Sequence, residues 1–298
     1  MTNQNTLGLN SSGVSGRIVA AIPLLLLAAV CVVPLAWLIT APSRTEVAIA
    51  NGPSIAFGSF GAIGTAWQHL MSYEHGILLR WLFNTVLYSA AIVALAVVVS
   101  VSAGYALAVT RMVGRRVILL LSLVAMVVPS AALVLPLFLI INSVHLTGTA
   151  WAVILPSSVF PFGAYLSFIH FSSSIPRSVY EAARIDGASE WRIFTQIALP
   201  LSRSLIGLVA FFAFVGAWTN YFLPFAMLTD ENTFTLQLGL QSLLSSSSLT
   251  NPGIMSNLPI HRPEGALAAI VTVLPVAIVF VVCQRYLARG ILGGAVKD

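Results

Sequence analysis

The chain has 298 residues, 58% of them hydrophobic and only 8% charged, whereas soluble domains carry roughly 25% charged residues. That balance excludes a water-soluble enzyme domain and is the composition of a membrane protein. The formal net charge of +5 describes membrane topology rather than affinity for nucleic acid, because no basic run with interleaved aromatic residues occurs.

In chain order, residues 1–16 are rich in Ser, Asn, Thr and Gly and carry no charged side chain, which predicts a disordered tail. A hydrocarbon core of about 30 Å needs roughly 20 apolar residues in a helix. Six runs meet that need: Ile18–Ile39, Leu82–Thr110, Val117–Asn142, Trp151–Ile169, Leu205–Leu228 and Ala266–Gln284. Within the first, "LLLLAAVC" resembles a lipoprotein cleavage site. Val30 is too large to precede a cleaved cysteine, however, and the run continues to Ile39, so an uncleaved helix over 17–40 is expected. Cys31 and Cys283 both fall inside apolar runs, without zinc-ligand spacing.

Basic residues accumulate on the cytoplasmic side of membrane proteins. With the N-terminus inside, the cytoplasmic segments hold Arg17, Arg111, Arg115, Arg116, Arg177, Arg184, Arg192, Arg203, Arg285, Arg289 and Lys297, and the outer segments hold only Arg44, Arg80 and Arg262. Eleven against three puts both termini in the cytoplasm. The expected organisation is therefore a cytoplasmic tail (1–16), a first span (17–40), an extracytoplasmic segment (41–81), a core (82–289) with spans two to six and a cytoplasmic loop at 171–204, and a cytoplasmic tail (290–298).

No Asp, Glu, Lys, Arg or His lies inside an expected span, which argues against proton coupling through a carboxylate but leaves sodium sites built from carbonyls open. The single lysine, Lys297, cannot complete a phosphate-binding GxxxxGK[ST] loop. If ATP powers transport, another subunit binds it. Prolines at 23, 129, 136, 156, 161, 224 and 275 punctuate the spans. They either open helices along a path or serve packing alone, and the residues favour neither use.

Between spans four and five, "PRSVYEAARID" reads as a short helix started by Pro176 and ended by Gly187, followed by "EWRIFTQIA", capped by Ser189 and stopped by Pro200. Val179, Ala182, Ala183 and Asp186 share one helical face of small residues that a partner backbone could approach. A solvated face competes with that reading, since Arg177–Glu181 and Glu181–Arg184 have the spacing of paired charges.

Residues 181–200 spell E-A-A-x3-G-x9-I-x-L-P, which resembles the signature loop of the membrane subunits of bacterial ATP-binding-cassette (ABC) importers. The resemblance implies an all-α membrane protein with six transmembrane helices, the type I importer permease fold and cytoplasmic termini. It also implies that Glu181, Ala182, Ala183, Asp186, Gly187, Ala188, Leu199 and Pro200 form the loop docking on an ATPase subunit. Tyr180 stands where many relatives have a second acidic residue.

The segments "VVPSAALVLPLFLIINSVHLTGTAWAVILPSSVFPFGAYL", "FVGAWTNYFLPFAML" with "TFTLQLGL", and "QRYLARGILGGAVKD" are similar to the carbohydrate-uptake branch, in particular its maltose-type permease partner with six spans. The resemblance covers about residues 80–298. Over 241–265 the chain is richer in Ser, Asn and Pro than the pattern, and no contact is carried over there.

By this resemblance the chain is a non-catalytic subunit without a cofactor of its own, ATP and Mg²⁺ being bound by its partners. Those partners are two ATP-binding subunits, a second and different permease, an extracytoplasmic substrate-binding protein and membrane lipid, at a bacterial inner membrane; no nucleic acid is expected. Trp218, Asn220 and Tyr221 in span five, and Phe160, Phe162 and Tyr165 in span four, offer the aromatic faces and neutral polar groups that suit a sugar, although packing and interfacial belts are the commoner use of aromatics. An ion-coupled carrier, a permease for a non-sugar solute and a structural scaffold are the competing readings.

Overall fold

A computed structural model describes residues 14–247, 249 and 258–292. Most of the tail expected at 1–16, most of the Ser/Asn/Pro-rich stretch at 248–257 and the C-terminal residues 293–298 lie outside the described residues. Among the described residues the secondary structure is entirely helical. Four helices are long and apolar enough to cross a membrane, and two sharply bent helix pairs raise the count to as many as six.

The chain divides into two compact units, residues 1–70 with 257–270, and residues 71–256 with 271–298. In the first unit, α1 (Val14–Thr40) is followed by α2 (Glu46–Asn51), whose first turn is capped by the Thr45 hydroxyl accepting from Ala48 N–H, and by most of α3 (Phe60–Ser72). The large side chains of α1 from Leu24 to Val33 are exposed to the surroundings, as expected of a helix whose solvent is lipid. Buried Arg44 donates to the carbonyls of Ala48 and Pro53. Buried Glu264 pairs with His69 at 2.7 Å and accepts from the His261 N–H. Each buried charge thus has partners, as its desolvation requires.

The second unit is organised around α4 (Ile77–Val109), which at 1.5 Å per residue is about 50 Å long. Glu74 and His75, both at positive φ, and Gly76 break the chain before it. Small residues let α4 lie close to α8 (Pro161–Ser173): a methyl group built on Gly104 would overlap the Ser167 side chain and come within 2.7 Å of the Phe168 nitrogen. This is the close approach that glycine permits between membrane helices.

At its other end α4 grips the backbone ahead of α14 (Leu236–Ser245). Trp81 Nε1 donates to the Glu231 carbonyl at 2.8 Å, Asn84 Nδ2 to those of Asn232 and Phe234, and Tyr88 to that of Thr233, while Thr85 Oγ1 accepts from Leu236 N–H. Polar side chains in an apolar helix are satisfied by an irregular strap of main chain.

The expected spans three and five are broken, and span four, within the membrane-length stretch Ala150–Ser173, is interrupted at Val159 and Phe160. Residues 117–142 divide into α5 (Arg115–Val127) and α6 (Ser130–Ser143), bent by 112°. Pro129 lacks an N–H and holds Val128 extended at ψ 124°. Residues 151–169 divide into α7 (Ala150–Ser158) and α8, where Pro161 restricts Phe160 in the same way. Residues 205–228 divide into α12 (Arg203–Trp218) and α13 (Phe222–Met227), where the Asn220 side chain accepts from Leu223 N–H. The second sharply bent pair joins Glu190–Leu201, rather than α13, to α12, at 80°. The last long helix, α15 (Arg262–Leu292), contains Pro275.

Candidate functional site: a helical elbow and a cavity at broken helices

The stretch from Pro176 to Ser202 folds as an elbow. Its first arm is α9 (Arg177–Ile185). Ala188 N–H donates to the Ala183 carbonyl and Gly187 N–H to that of Arg184, with Gly187 at φ +78°. This is the paired-bond helix end that glycine favours. Nothing lies within 4 Å of where a Gly187 side chain would begin, so the residue is required by its backbone angle and not by crowding.

Ser189 then caps the second arm, accepting from Arg192 N–H. That arm comprises α10 (Glu190–Ile193), a widened π turn over Phe194–Ala198 and α11 (Leu199–Leu201). Pro200, expected to stop the helix, does not. The Leu199 N–H reaches back to the Phe194 carbonyl, and this one-residue expansion carries the helix past the missing proline donor. The break falls at Ser202.

The small-residue face expected on α9 is divided by the fold. Tyr180 and Ala183 are buried with Ile193, Ala198 and Phe171 in one apolar cluster, to which Val179, Ala188 and Leu199 add partial cover. Glu181, Ala182, Asp186 and Gly187 face outward. The competing expectation of charge pairs at Glu181 also fails, since neither Arg177 nor Arg184 forms an ion pair with it among the described residues. Arg184 instead meets Glu190 at 2.6 Å across the elbow. That hydrogen bond holds the Glu190 carboxyl below the usual carboxylate range and raises the Arg184 guanidinium.

Tyr105 of α4 donates to the other Glu190 oxygen at 3.3 Å, so the turn is pinned to the long helix. Glu181 forms no hydrogen bond or ion pair among the described residues and is exposed, as are the apolar side chains of Ile185 and Trp191, at 86% and 73%.

The aromatic candidates do not form a single site. Phe160 and Phe162 meet edge to face, Phe162 meets Phe212 in the same way, and Tyr165 lies against Phe168. Tyr221 stacks on Phe225. Trp218 is only 2% exposed and donates its indole N–H to the Thr272 carbonyl at 3.0 Å, as a packing residue does. It also borders an apolar groove of about 1100 Å³ between α4, α12 and α15.

Asn220 is different. It lines a cavity of about 190 Å³ together with Ser130, Pro156, Ser157 and Phe222, where the breaks in three expected spans converge. The Ser157 hydroxyl oxygen is buried without a hydrogen-bond partner. The sequence reading missed Ser130 and Ser157; adjacency to Pro129, which breaks its span, and to Pro156 near the end of α7 was the available signal. It also missed Glu190 and Tyr105, because an ion pair across Gly187 and a contact between residues 85 apart follow no helical spacing.

Comparison with known proteins accords with this architecture. Residues 96–293, which is 198 of the 298, match the family model described as "Binding-protein-dependent transport system inner membrane component". An arabinooligosaccharides transport system permease protein from Halalkalibacterium halodurans is 31% identical, over 91% of this chain and 93% of the relative. A diacetylchitobiose uptake system permease protein from Streptomyces coelicolor is 28% identical over 92% and 87%, and a maltodextrin transport system permease protein from Bacillus subtilis 28% identical over 92% and 94%. A chain from the crystal structure of a bacterial ABC transporter involved in the import of alginate superposes with a TM-score of 0.77 at 22% identity, covering 93% of this chain and 99% of that one, which establishes the fold. An all-helical chain with membrane-length apolar helices, matched over two thirds of its length, belongs to the binding-protein-dependent transport system inner membrane component family, the permeases of ABC importers, and its curated relatives are those of the carbohydrate-uptake branch.

Proposed function

We propose that the chain is one of two permease subunits in a carbohydrate importer of a bacterial inner membrane, with its termini and the elbow on the cytoplasmic side. The asymmetry of eleven basic residues against three supports the orientation. The relatives named for oligosaccharides support the substrate class. The other permease is a different chain, two further subunits bind ATP and Mg²⁺, and an extracytoplasmic binding protein delivers the sugar. This chain performs no catalysis of its own.

The observation that carries the reading is the elbow itself: two arms set at a fixed angle by the Gly187 helix end, with Glu181, Ile185 and Trp191 all exposed on them. An exposed apolar patch with one uncommitted charge is the surface an obligate partner covers. Closure of the ATPases on nucleotide moves the paired elbows and shifts the population between inward- and outward-open states. The cavity at Ser130, Ser157 and Asn220 offers neutral hydrogen-bonding groups along the path, which can meet sugar hydroxyls without burying charge.

In the assembled complex, Gly187→Trp is expected to reduce co-purified ATPase, or sugar moved per ATP hydrolysed, by about tenfold or more, equivalent to ~1.4 kcal/mol. Glu181→Ala is expected to have a smaller effect in the same direction. Wild-type association and wild-type transport in both variants would refute the docking role.

A further inference from the structure

Between α9 and the turn joining α4 to α5 lies a cavity of about 190 Å³, bordered on one side by Glu181 of the docking surface. One wall is Val109, Thr110 and Arg111 with Arg115 from the start of α5. The other is the end of α8 and the inner side of α9. Four arginines line it, Arg111, Arg115, Arg177 and Arg184, against the single carboxylate of Glu181.

Only Arg184 is committed, to Glu190. Arg115 lies over the Phe168 ring at 5.0 Å, a contact that uses the face of the guanidinium and leaves its edge N–H groups available. Arg111 and Arg177 form no hydrogen bond or ion pair among the described residues. Gathering this many like charges around one small space is unfavourable unless an anion shares it.

The floor of the cavity carries a second, independent signal. Tyr180 lines it, is 3% exposed, and its hydroxyl oxygen is buried without a partner. Burial pushes the phenol up to about 12, so the group remains a neutral O–H donor at physiological pH. A buried donor without an acceptor is costly. A water molecule would satisfy the hydroxyl but would not balance the guanidiniums.

We propose that this cavity is a phosphate-binding site, in which Arg111, Arg115 and Arg177 gather the anionic oxygens and the Tyr180 hydroxyl donates to one of them. Planar guanidiniums donate two parallel hydrogen bonds to such oxygens. A free phosphate and the headgroup of an anionic phospholipid share this chemistry. The headgroup is favoured by the apolar surface of the helix that Arg115 begins: Val113 is 97% exposed, and Val117, Leu120, Leu121 and Val124 are exposed along α5. Basic pockets on the cytoplasmic face of membrane proteins hold anionic headgroups in this manner; the lipid source thus rests on the orientation given above. Because Tyr180 and Arg177 belong to the elbow and Arg111 and Arg115 do not, a bound phosphate would tie the elbow to the α4–α5 turn.

The test uses the complete transport complex, purified with its co-purifying subunits from membranes containing phosphatidylglycerol. Native mass spectrometry measures retained lipid, and equilibrium dialysis in detergent measures binding of inorganic phosphate. The Arg111→Gln/Arg115→Gln double variant is expected to lose phosphatidylglycerol retention at least tenfold, and Tyr180→Phe, which keeps the ring and its packing, several-fold. Phosphatidylcholine is expected to show no such difference.

Saturable inorganic phosphate binding that both variants weaken, without lipid preference, would identify free phosphate as the source. Equal retention and equal phosphate binding in wild type and both variants would overturn the site. So would loss of the ATPase from the double variant with anion binding unchanged, since the arginines would then face that subunit. Association of the ATPase with Tyr180→Phe at the wild-type level keeps a failure here distinct from a failure of the docking role.

Discussion

The elbow and the cavity at the helix breaks are built in opposite ways. The elbow is local: Pro176, Gly187 and Ser189, all within 14 residues of chain, set its two arms and their angle. The cavity is assembled by the fold from three separated segments around Ser130, Ser157 and Asn220. No one segment shows that the others will be there. A local elbow can therefore be recognised from a short run of residues, whereas a cavity within a bundle depends on where several helices fail at once.

Substitutions at four positions break or sharpen that contrast. The largest effect is expected at Gly104, where α4 and α8 support both regions. Gly104→Val would drive a side chain into Ser167 and the Phe168 backbone, and overpacking against main chain costs about 3 kcal/mol or more. Loss of folded protein in size-exclusion profiles is the expected outcome, with docking and transport lost together.

Next is Gly187, where Ala and Trp separate angle from contact. Gly187→Ala meets empty space but forces a side chain onto φ +78°, a cost of about 1–2 kcal/mol. It should lower thermal stability while retaining ATPase association, whereas Gly187→Trp should abolish association.

A smaller effect is expected at Ser157. If its unpartnered hydroxyl meets a sugar hydroxyl, Ser157→Ala should weaken substrate-dependent ATPase activity by roughly threefold to tenfold, the worth of one net hydrogen bond of about 0.5–1.5 kcal/mol. Unchanged activity with equal or higher stability would make the hydroxyl a packing defect.

The smallest is Glu190→Gln. Glu190 is held below its ordinary carboxylate range in the fold, so its stabilising contribution is present above that range and lost as pH falls through the depressed value. The pair is partly exposed and worth at most about 1 kcal/mol. A thermal midpoint lowered by one or two degrees at pH 7, by rough conversion, should converge with wild type as the medium is acidified below about pH 4. A difference that grows on acidification would show that Glu190 acts otherwise.

The limits of the sequence reading follow the same division. Apolar runs located the membrane-length helices because bilayer thickness sets a length that composition reveals. Gly187 and Ser189 located the elbow's turn because helix ends are written locally. Pro200 misled as a stop because a π turn over Phe194–Ala198 lies outside helical spacing rules. The face assigned to α9 was divided because spacing says which residues share a side, but not how much of that side the molecule covers: Ala183 and part of Val179 turned inward, while Ala182 and Asp186 stayed exposed. Trp218 fitted both a sugar contact and packing, and the partner of its indole, the Thr272 carbonyl 54 residues away, follows no local spacing.

The 33 residues of α4 carry one further implication. Near its first turns, Trp81, Asn84 and Tyr88 hold the carbonyls of residues 231–234, and near its last, Tyr105 holds Glu190 at the elbow. A stiff rod fastened at both tips transmits displacement along its axis with little loss. On the orientation proposed above, a displacement at either fastening would be carried to the opposite face of the bilayer through a single piece of secondary structure.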